Sequence, residues 1–178
     1  MKFKPTVVIS AFPACGKSHM FNNYNGKPYT MLDSDSSEFS WIKENGINTK
    51  ERDPNFPNNY IQHIKDNIGK VDVIFVSSHE VVRRALNENS INFFMVYPGK
   101  GMKEEWIRRF RERGNDKNFI DFISNNWEKF IDEIEAEEKC LKEKLSWHNY
   151  SSEVYITNKF LAGCFDTSMG NLSCLWWN

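Results

Sequence analysis

The sequence has no apolar run long enough to cross a bilayer, no internal repeat and no low-complexity tract, which leaves no place for a membrane span, a repeat array or a disordered linker. It also lacks an excess of either charge: 23 Lys and Arg stand against 24 Asp and Glu, for a formal net charge of -1. That balance argues against extended nucleic acid held by charge and leaves only short contacts through a local basic patch. Cysteine is sparse. Cys15, Cys140, Cys164 and Cys174 show neither C-x-x-C nor zinc-site spacing. No apolar segment resembling a signal opens the chain, so the expected setting is cytoplasmic, with free thiols. With 178 residues and 15% aromatics, the expectation is one domain spanning 1–178 with a full hydrophobic core.

What is there begins with Ala11-Phe12-Pro13-Ala14-Cys15-Gly16-Lys17-Ser18, set between the apolar run Thr6–Ser10 and a helical pattern. The A-x-x-x-x-G-K-S spacing suits a phosphate-binding loop, because successive backbone N–H groups wrap a β-phosphate and a helix N-terminus adds positive potential. Lys17 would reach the β- and γ-phosphates and Ser18 would ligate Mg²⁺, with Pro13, Ala14, Cys15, Gly16 and His19 completing the ATP-binding set. Ala11 stands where the strict pattern has Gly, and is compatible because that position needs a small residue more than a positive φ. Cys15 has two readings: a thiol made oxidation-sensitive by the loop amides and Lys17, or an inert side chain.

Apolar runs at Val7–Ile9, Tyr29–Leu32, Val71–Val76, Phe93–Tyr97 and Val154–Ile156 predict five buried strands, and the helical patterns between most of them predict a three-layer α/β domain with a mostly parallel five-stranded sheet. From 117 to 145 the apolar residues recur at helical spacing, which predicts one long helix or a broken pair with the acids of 132–138 facing water. The tail from Thr167 to Asn178 either packs on the domain or forms a homodimer contact.

Two further clusters carry chemistry. Leu32-Asp33-Ser34-Asp35-Ser36-Ser37 follows the second strand, beside the loop in a doubly wound sheet. Asp35 can hold Mg²⁺ or act as a general base, and Asp33 can bind a substrate hydroxyl; both can instead form an Asx-turn or a helix cap. Lys103–Asn115 holds four arginines in six residues, with Arg109 and Arg113 one helical turn apart. Such guanidinium groups on a lid, over approximately 99–118, would neutralise a transferring phosphoryl group; the other reading is a solvated basic face with Trp106, Ile107 and Phe110 in the core. In the loop Arg52–Tyr60, Arg52 can meet an acceptor phosphate and Phe56 or Tyr60 can stack on a base, or the segment is a surface turn. His79, at the end of the third strand, can touch the acceptor or be structural.

Loop, acid-bearing second strand, polar third-strand end and arginine-rich lid, in this order, resemble the nucleoside and nucleotide kinase branch of the P-loop proteins over roughly residues 4–160. More narrowly, Leu32–Ser37 and Phe75-Val76-Ser77-Ser78-His79 are similar to phage- and prophage-encoded proteins of Gram-positive bacteria described as deoxynucleoside monophosphate kinases. Arg108–Gly114 is similar to the lid of phage polynucleotide 5′-kinases, where an arginine matching Arg113 contacts donor phosphates and an Asp matching Asp35 activates a 5′-hydroxyl. Ser77 and Ser78 stand where these proteins usually carry a second acid. The resemblance implies a P-loop kinase fold, ATP and Mg²⁺, catalytic Lys17, Asp35, Arg109 and Arg113, and a small-molecule nucleotide as partner in phage nucleotide metabolism. Three functions stay open: phosphorylation of a deoxynucleoside monophosphate, phosphorylation of a hydroxyl, and nucleotide binding without catalysis.

Overall fold

The computed structural model describes residues 5–146 and 155–168. The chain begins β1 (Val7–Ala11), α1 (Lys17–Tyr24), β2 (Met31–Asp33), α2 (Ser37–Ser40), β3 (Trp41–Glu44), β4 (Ile47–Arg52), α3 (Asn58–Asn67), β5 (Val73–Ser77) and α4 (Glu80–Glu88). It continues through β6 (Phe94–Pro98), a 3-10 turn (Lys100–Met102), α5 (Lys103–Glu112), α6 (Lys117–Asn125), α7 (Trp127–Glu135), β7 (Leu141–Leu145) and α8 (Asn158–Ser168).

Five strands form the central sheet in the order β2-β5-β1-β6-β7, and all four pairings are parallel. Every residue of β1 is buried, as are the first four of β5 and the last four of β6, because a parallel strand between two helical layers has no solvent face. Ile9 sits in register with Phe75 on one side and Phe94 on the other. From β1 the chain moves toward one edge of the sheet, whereas the connections after β2, β5 and β6 move toward the other. Right-handed crossovers then put helices on both faces, and the reversal at β1 opens a crevice beyond the strand C-termini. Ser10, a polar residue inside β1, donates its hydroxyl to Ser77 O at 3.0 Å and fixes β1 against the end of β5.

Four of the five expected strands form where the apolar runs lie. The fifth does not. The sheet closes with Leu141-Lys142-Glu143-Lys144-Leu145, inside the stretch read as helical, because one edge strand need bury little: Leu145 is buried and Leu141 is exposed. The helical tract is a broken pair, α6 and α7, which ends at Glu135. Of the expected strand Val154–Ile156, Val154 lies outside the described residues, and Tyr155 and Ile156 are not in a strand.

Between α2 and α3 the chain forms an antiparallel hairpin, β3 with β4, for which the apolar runs gave no expectation. Ile42 and Ile47 are exposed on it. On the β6 side, α5 and α7 meet through Trp106 and Trp127, and Phe12 packs edge-on to Trp127 at 5.6 Å. α8 packs on β1, with Phe165 stacked on Tyr29 at 4.7 Å. The tail beyond Ser168 lies outside the described residues, as does Cys174.

Candidate functional site

The loop Ala11–Ser18 has an asymmetric hydrogen-bond pattern. Ala11 O accepts from Lys17 Nζ (2.6 Å), Pro13 O from Trp106 Nε1 (2.7 Å), Ala14 O from Arg109 Nη1 (3.3 Å) and Cys15 O from the Ile156 amide (3.0 Å). Phe12 O takes the Cys15 amide and Gly16 O takes the Met20 amide. Each carbonyl from Ala11 to Gly16 is therefore occupied. In contrast, the amides of Ala14, Gly16, Lys17, Ser18 and His19 donate to no group among the described residues. Ala14 (φ 64°) and Gly16 (φ 99°) take left-handed backbone, the kind of turn with which successive peptide N–H groups build an anion-binding concavity. Gly16 caps α1 without a side-chain hydrogen bond, so the helix N-terminus adds its positive potential at the same place. A Cβ at Gly16 would lie 3.2 Å from Tyr155 Cδ1, so a larger residue meets both strain and a ring.

A cavity of about 540 Å³ opens over these amides. Its first wall is the loop, including Pro13, Ala14, Gly16, Lys17, Ser18 and His19. A second wall is formed by Asp33 to Ser36 at the end of β2 and by Ser77, Ser78 and His79 at the end of β5. The third comes from α5 and the turn after it, with Arg109, Glu112, Arg113 and Asn115, closed by Phe119 and Tyr155. Segments far apart in sequence meet here because all the contributing strands end on the same side of a parallel sheet.

Burial lowers the pKa of the Lys17 ammonium, and Arg113 acts in the same direction against Asp33 and Asp35. A phosphate anion in the cavity would restore the favourable partner. The protein packed around the His79 ring lowers the pKa of its imidazole, as do the Lys17, Arg52 and Arg83 cations, so the ring is neutral at pH 7. Asp35 Oδ1 accepts from the Ser37 amide at 2.9 Å. The Asx-turn and the cavity position thus coexist in one carboxylate. Ser34 is buried, and its hydroxyl has no partner among the described residues.

Of the two arginines expected over the transferring group, only Arg113 is exposed at the cavity, at the C-terminal end of α5. Arg109 is 5% exposed. The helix of the expected lid segment is docked, with Trp106 and Phe110 fully buried, and the exposed residues of 99–118 that line the cavity are Glu112 and Arg113, at the end of α5.

Tyr60 and Phe56 do not line the cavity. Tyr60 is buried because its hydroxyl bridges the two strand ends, donating to Ser34 O (2.7 Å) and accepting from the Ser77 amide (3.3 Å). Burial pushes its phenol up to about 12. Phe56 packs beside it, ring centroids 6.2 Å apart. Arg52 is exposed with its guanidinium over Trp41, 3.9 Å from the ring centroid, close enough to His79 to act on it electrostatically yet outside the cavity lining. Cys15 is buried: its Sγ turns inward to Val96 O (3.8 Å), and burial pushes the thiol up to about 12, overcoming the lowering by Lys17 and Arg109.

Ser18 and Asp33 with Asp35 supply only oxygen donors, which suit a hard cation such as Mg²⁺. No group of three or more His, Cys, Asp or Glu suited to a metal occurs among the described residues. Such an ion fits best when phosphate oxygens complete its shell. Sequence reasoning missed Ser34, Glu112, Asn115, Phe119 and Tyr155 as cavity residues, and Trp106 as a loop anchor. Trp106, Glu112 and Asn115 had a signal in their place on the arginine-bearing segment, and Ser34 in its place between the two acids. No family model and no curated protein matches the chain.

Proposed function

We propose that the protein is a phosphotransferase of the P-loop kinase type, moving the γ-phosphoryl group of ATP, taken with Mg²⁺, to a nucleotide acceptor. The observation that carries this reading is the loop's asymmetry: six carbonyls occupied, five amides without an acceptor among the described residues, and a half-buried lysine beside them. An unpaired amide at a cavity wall is a donor already oriented for an anion, and several converging on one point suit phosphate oxygens.

In this reading Lys17 leaves Ala11 O for the β- and γ-phosphates, and the loop amides hold the remaining oxygens. Ser18 and Asp35 would hold Mg²⁺, which spreads the negative charge that builds on the phosphate oxygens. Arg113 swings from the rim over the transferring group. For a deoxynucleoside monophosphate, the acceptor phosphate is already ionised near neutral pH and no base is needed.

A second acceptor is favoured by a specific observation. The wall opposite the loop carries Asp33 and Asp35, four serines and a neutral His79, with the Ser34 hydroxyl unpartnered among the described residues. Carboxylates accept from hydroxyls and repel a dianion, while serine hydroxyls pair with either. With a hydroxyl acceptor, a bond forms between its oxygen and the γ-phosphorus while the bond to the β–γ bridging oxygen breaks, and the hydroxyl proton passes to Asp35.

The test is acceptor-dependent ADP release from ATP·Mg²⁺ across ribo- and deoxynucleoside monophosphates, nucleosides and a 5′-hydroxyl oligonucleotide, with Lys17→Ala as blank. Turnover on a monophosphate names the base, and turnover on a hydroxyl alone assigns Asp35 as base. Nucleotide binding with silence on every acceptor would replace the kinase with a nucleotide-binding switch.

A further inference from the structure

Arg109 was expected to act as a mobile finger, and its surroundings fit a different role. Its guanidinium carbon lies 4.2 Å from the Trp106 ring centroid and 4.1 Å from that of Tyr155. Its Nε donates to Glu105 Oε1 at 2.8 Å, one helical turn back on α5. Nη1 donates to Ala14 O. A planar cation is thus held by two aromatic rings, a carboxylate and a loop carbonyl, and a swing toward a phosphate would give up all four.

The carbonyl it holds is the informative one. Ala14 has φ 64°, a conformation that an L-residue other than Asn or Asp seldom adopts unless its surroundings fix it. Three consecutive carbonyls are gripped from outside the loop, Pro13 by Trp106, Ala14 by Arg109 and Cys15 by Ile156. Tyr155 joins these grips, since its ring covers Arg109 and also lies against Gly16. The peptide that Arg109 holds carries the Cys15 N–H, which turns back to Phe12 O, and the two flanking peptides, held at Pro13 O and Cys15 O, carry the Ala14 and Gly16 N–H groups that donate to nothing among the described residues. We propose that Arg109, held by Glu105, is a positioning residue that fixes the Ala14–Cys15 peptide, the middle one of the three, and so holds the left-handed turn at Ala14 on which the direction of the flanking Ala14 and Gly16 amides depends, and that it does not itself contact the transferring phosphoryl group. This rests on the loop's being the phosphate site.

Glu105 makes the idea testable, because it holds Arg109 but does not line the cavity. Hydrogen bonds from Arg108 and Arg109 keep its carboxyl below the usual carboxylate range, so the ion pair is present at neutral pH. The experiment measures calorimetric affinities of the full chain for ATP·Mg²⁺ and ADP·Mg²⁺ in wild type, Arg109→Lys, Glu105→Gln and Arg113→Lys. Amide NMR spectra of the same ligand-free proteins are recorded beside them. Lysine keeps the charge but cannot fill a flat slot between two rings or fork to two acceptors. Arg109→Lys should weaken ATP and ADP by the same factor, about tenfold, the equivalent of one charge-assisted hydrogen bond. Glu105→Gln should do so in the same ratio and to a smaller extent. Both should move the ligand-free Ala14 and Cys15 amide resonances, while Arg113→Lys should leave those resonances in place and weaken ATP more than ADP.

A loss in Arg109→Lys confined to ATP would mean direct contact with the terminal phosphate and would overturn the proposal. So would unmoved Ala14 and Cys15 resonances in both Arg109→Lys and Glu105→Gln. If Arg109→Lys does not fold, Glu105→Gln carries the same readouts. Moved resonances in a wild-type background that binds neither nucleotide would overturn the phosphate reading, and with it the proposal's claim about ligand affinity, while the grip on the loop stood.

Discussion

The two principal walls of the cavity are built in opposite ways. On the Ala11–Ser18 side every carbonyl through Gly16 is tied, the backbone takes left-handed angles at Ala14 and Gly16, and the docked helix α5 grips the loop from behind. On the Asp33–His79 side the donors and acceptors are side chains at strand ends, braced by one buried tyrosine hydroxyl. A wall of fixed backbone amides suits a ligand part that never varies, such as a polyphosphate. A wall of short polar side chains is where substrate choice can change without disturbing the fold.

This difference also explains what the sequence could reveal. The loop was legible because a backbone nest before a helix demands small residues at fixed spacing, and the GKS ending records it. The four inner strands were legible because strands covered on both faces are apolar throughout. The edge strand Leu141–Leu145 was not, since Lys142, Glu143 and Lys144 carry no burial signal and fit a helical period. The burial of Arg109 was not legible because a buried arginine held between two rings and an exposed one at the rim are identical letters four residues apart. Tyr60 illustrates the same limit from the other side, as its hydroxyl partners, Ser34 O and the Ser77 amide, are set by topology alone.

Substitutions can break the comparison, and the largest effect belongs to Lys17. Lys17→Ala removes the half-buried ammonium from the fixed wall and should reduce phosphoryl transfer by about 10²–10³-fold, with ATP affinity lost alongside. An active Lys17→Ala protein would show that the loop is not the donor site. Asp35→Asn sharpens the opposite wall: for a hydroxyl acceptor it should lower kcat by about 10²–10⁴-fold. For a monophosphate acceptor the loss should instead recover in part as Mg²⁺ is raised. Unchanged activity on both acceptor types would remove Asp35 from either role.

Gly16→Ala tests the backbone rather than a side chain. A Cβ at φ 99° meets the Tyr155 ring, so thermal unfolding should register a loss of about 1–3 kcal/mol, and nucleotide affinity should fall with it. Retained stability with lost binding would confine the effect to the nest. Smaller still, Cys15 should resist alkylation by iodoacetamide at pH 7.5 in the folded protein and react once unfolded, since burial holds its thiol up to about 12. Rapid labelling of the native state would mean that the loop opens.

His79 gives the smallest expected change. Its pKa is lowered in the fold, so the unfolded chain binds the proton more readily, and stability present above about pH 6.5 should be lost as pH falls through the folded value. In His79→Gln the decline in melting temperature on acidification from pH 7 to pH 5 should be shallower than in wild type, although His63, also lowered by burial, keeps part of it.

The most direct measurement of the central claim is an amide NMR titration of the full chain with ATP·Mg²⁺. The account predicts that the resonances of Ala14, Gly16, Lys17, Ser18 and His19 move first and furthest, in wild type and not in Lys17→Ala. A titration in which these five stay fixed while ATP binds elsewhere, or in which ATP does not bind at all, would contradict it.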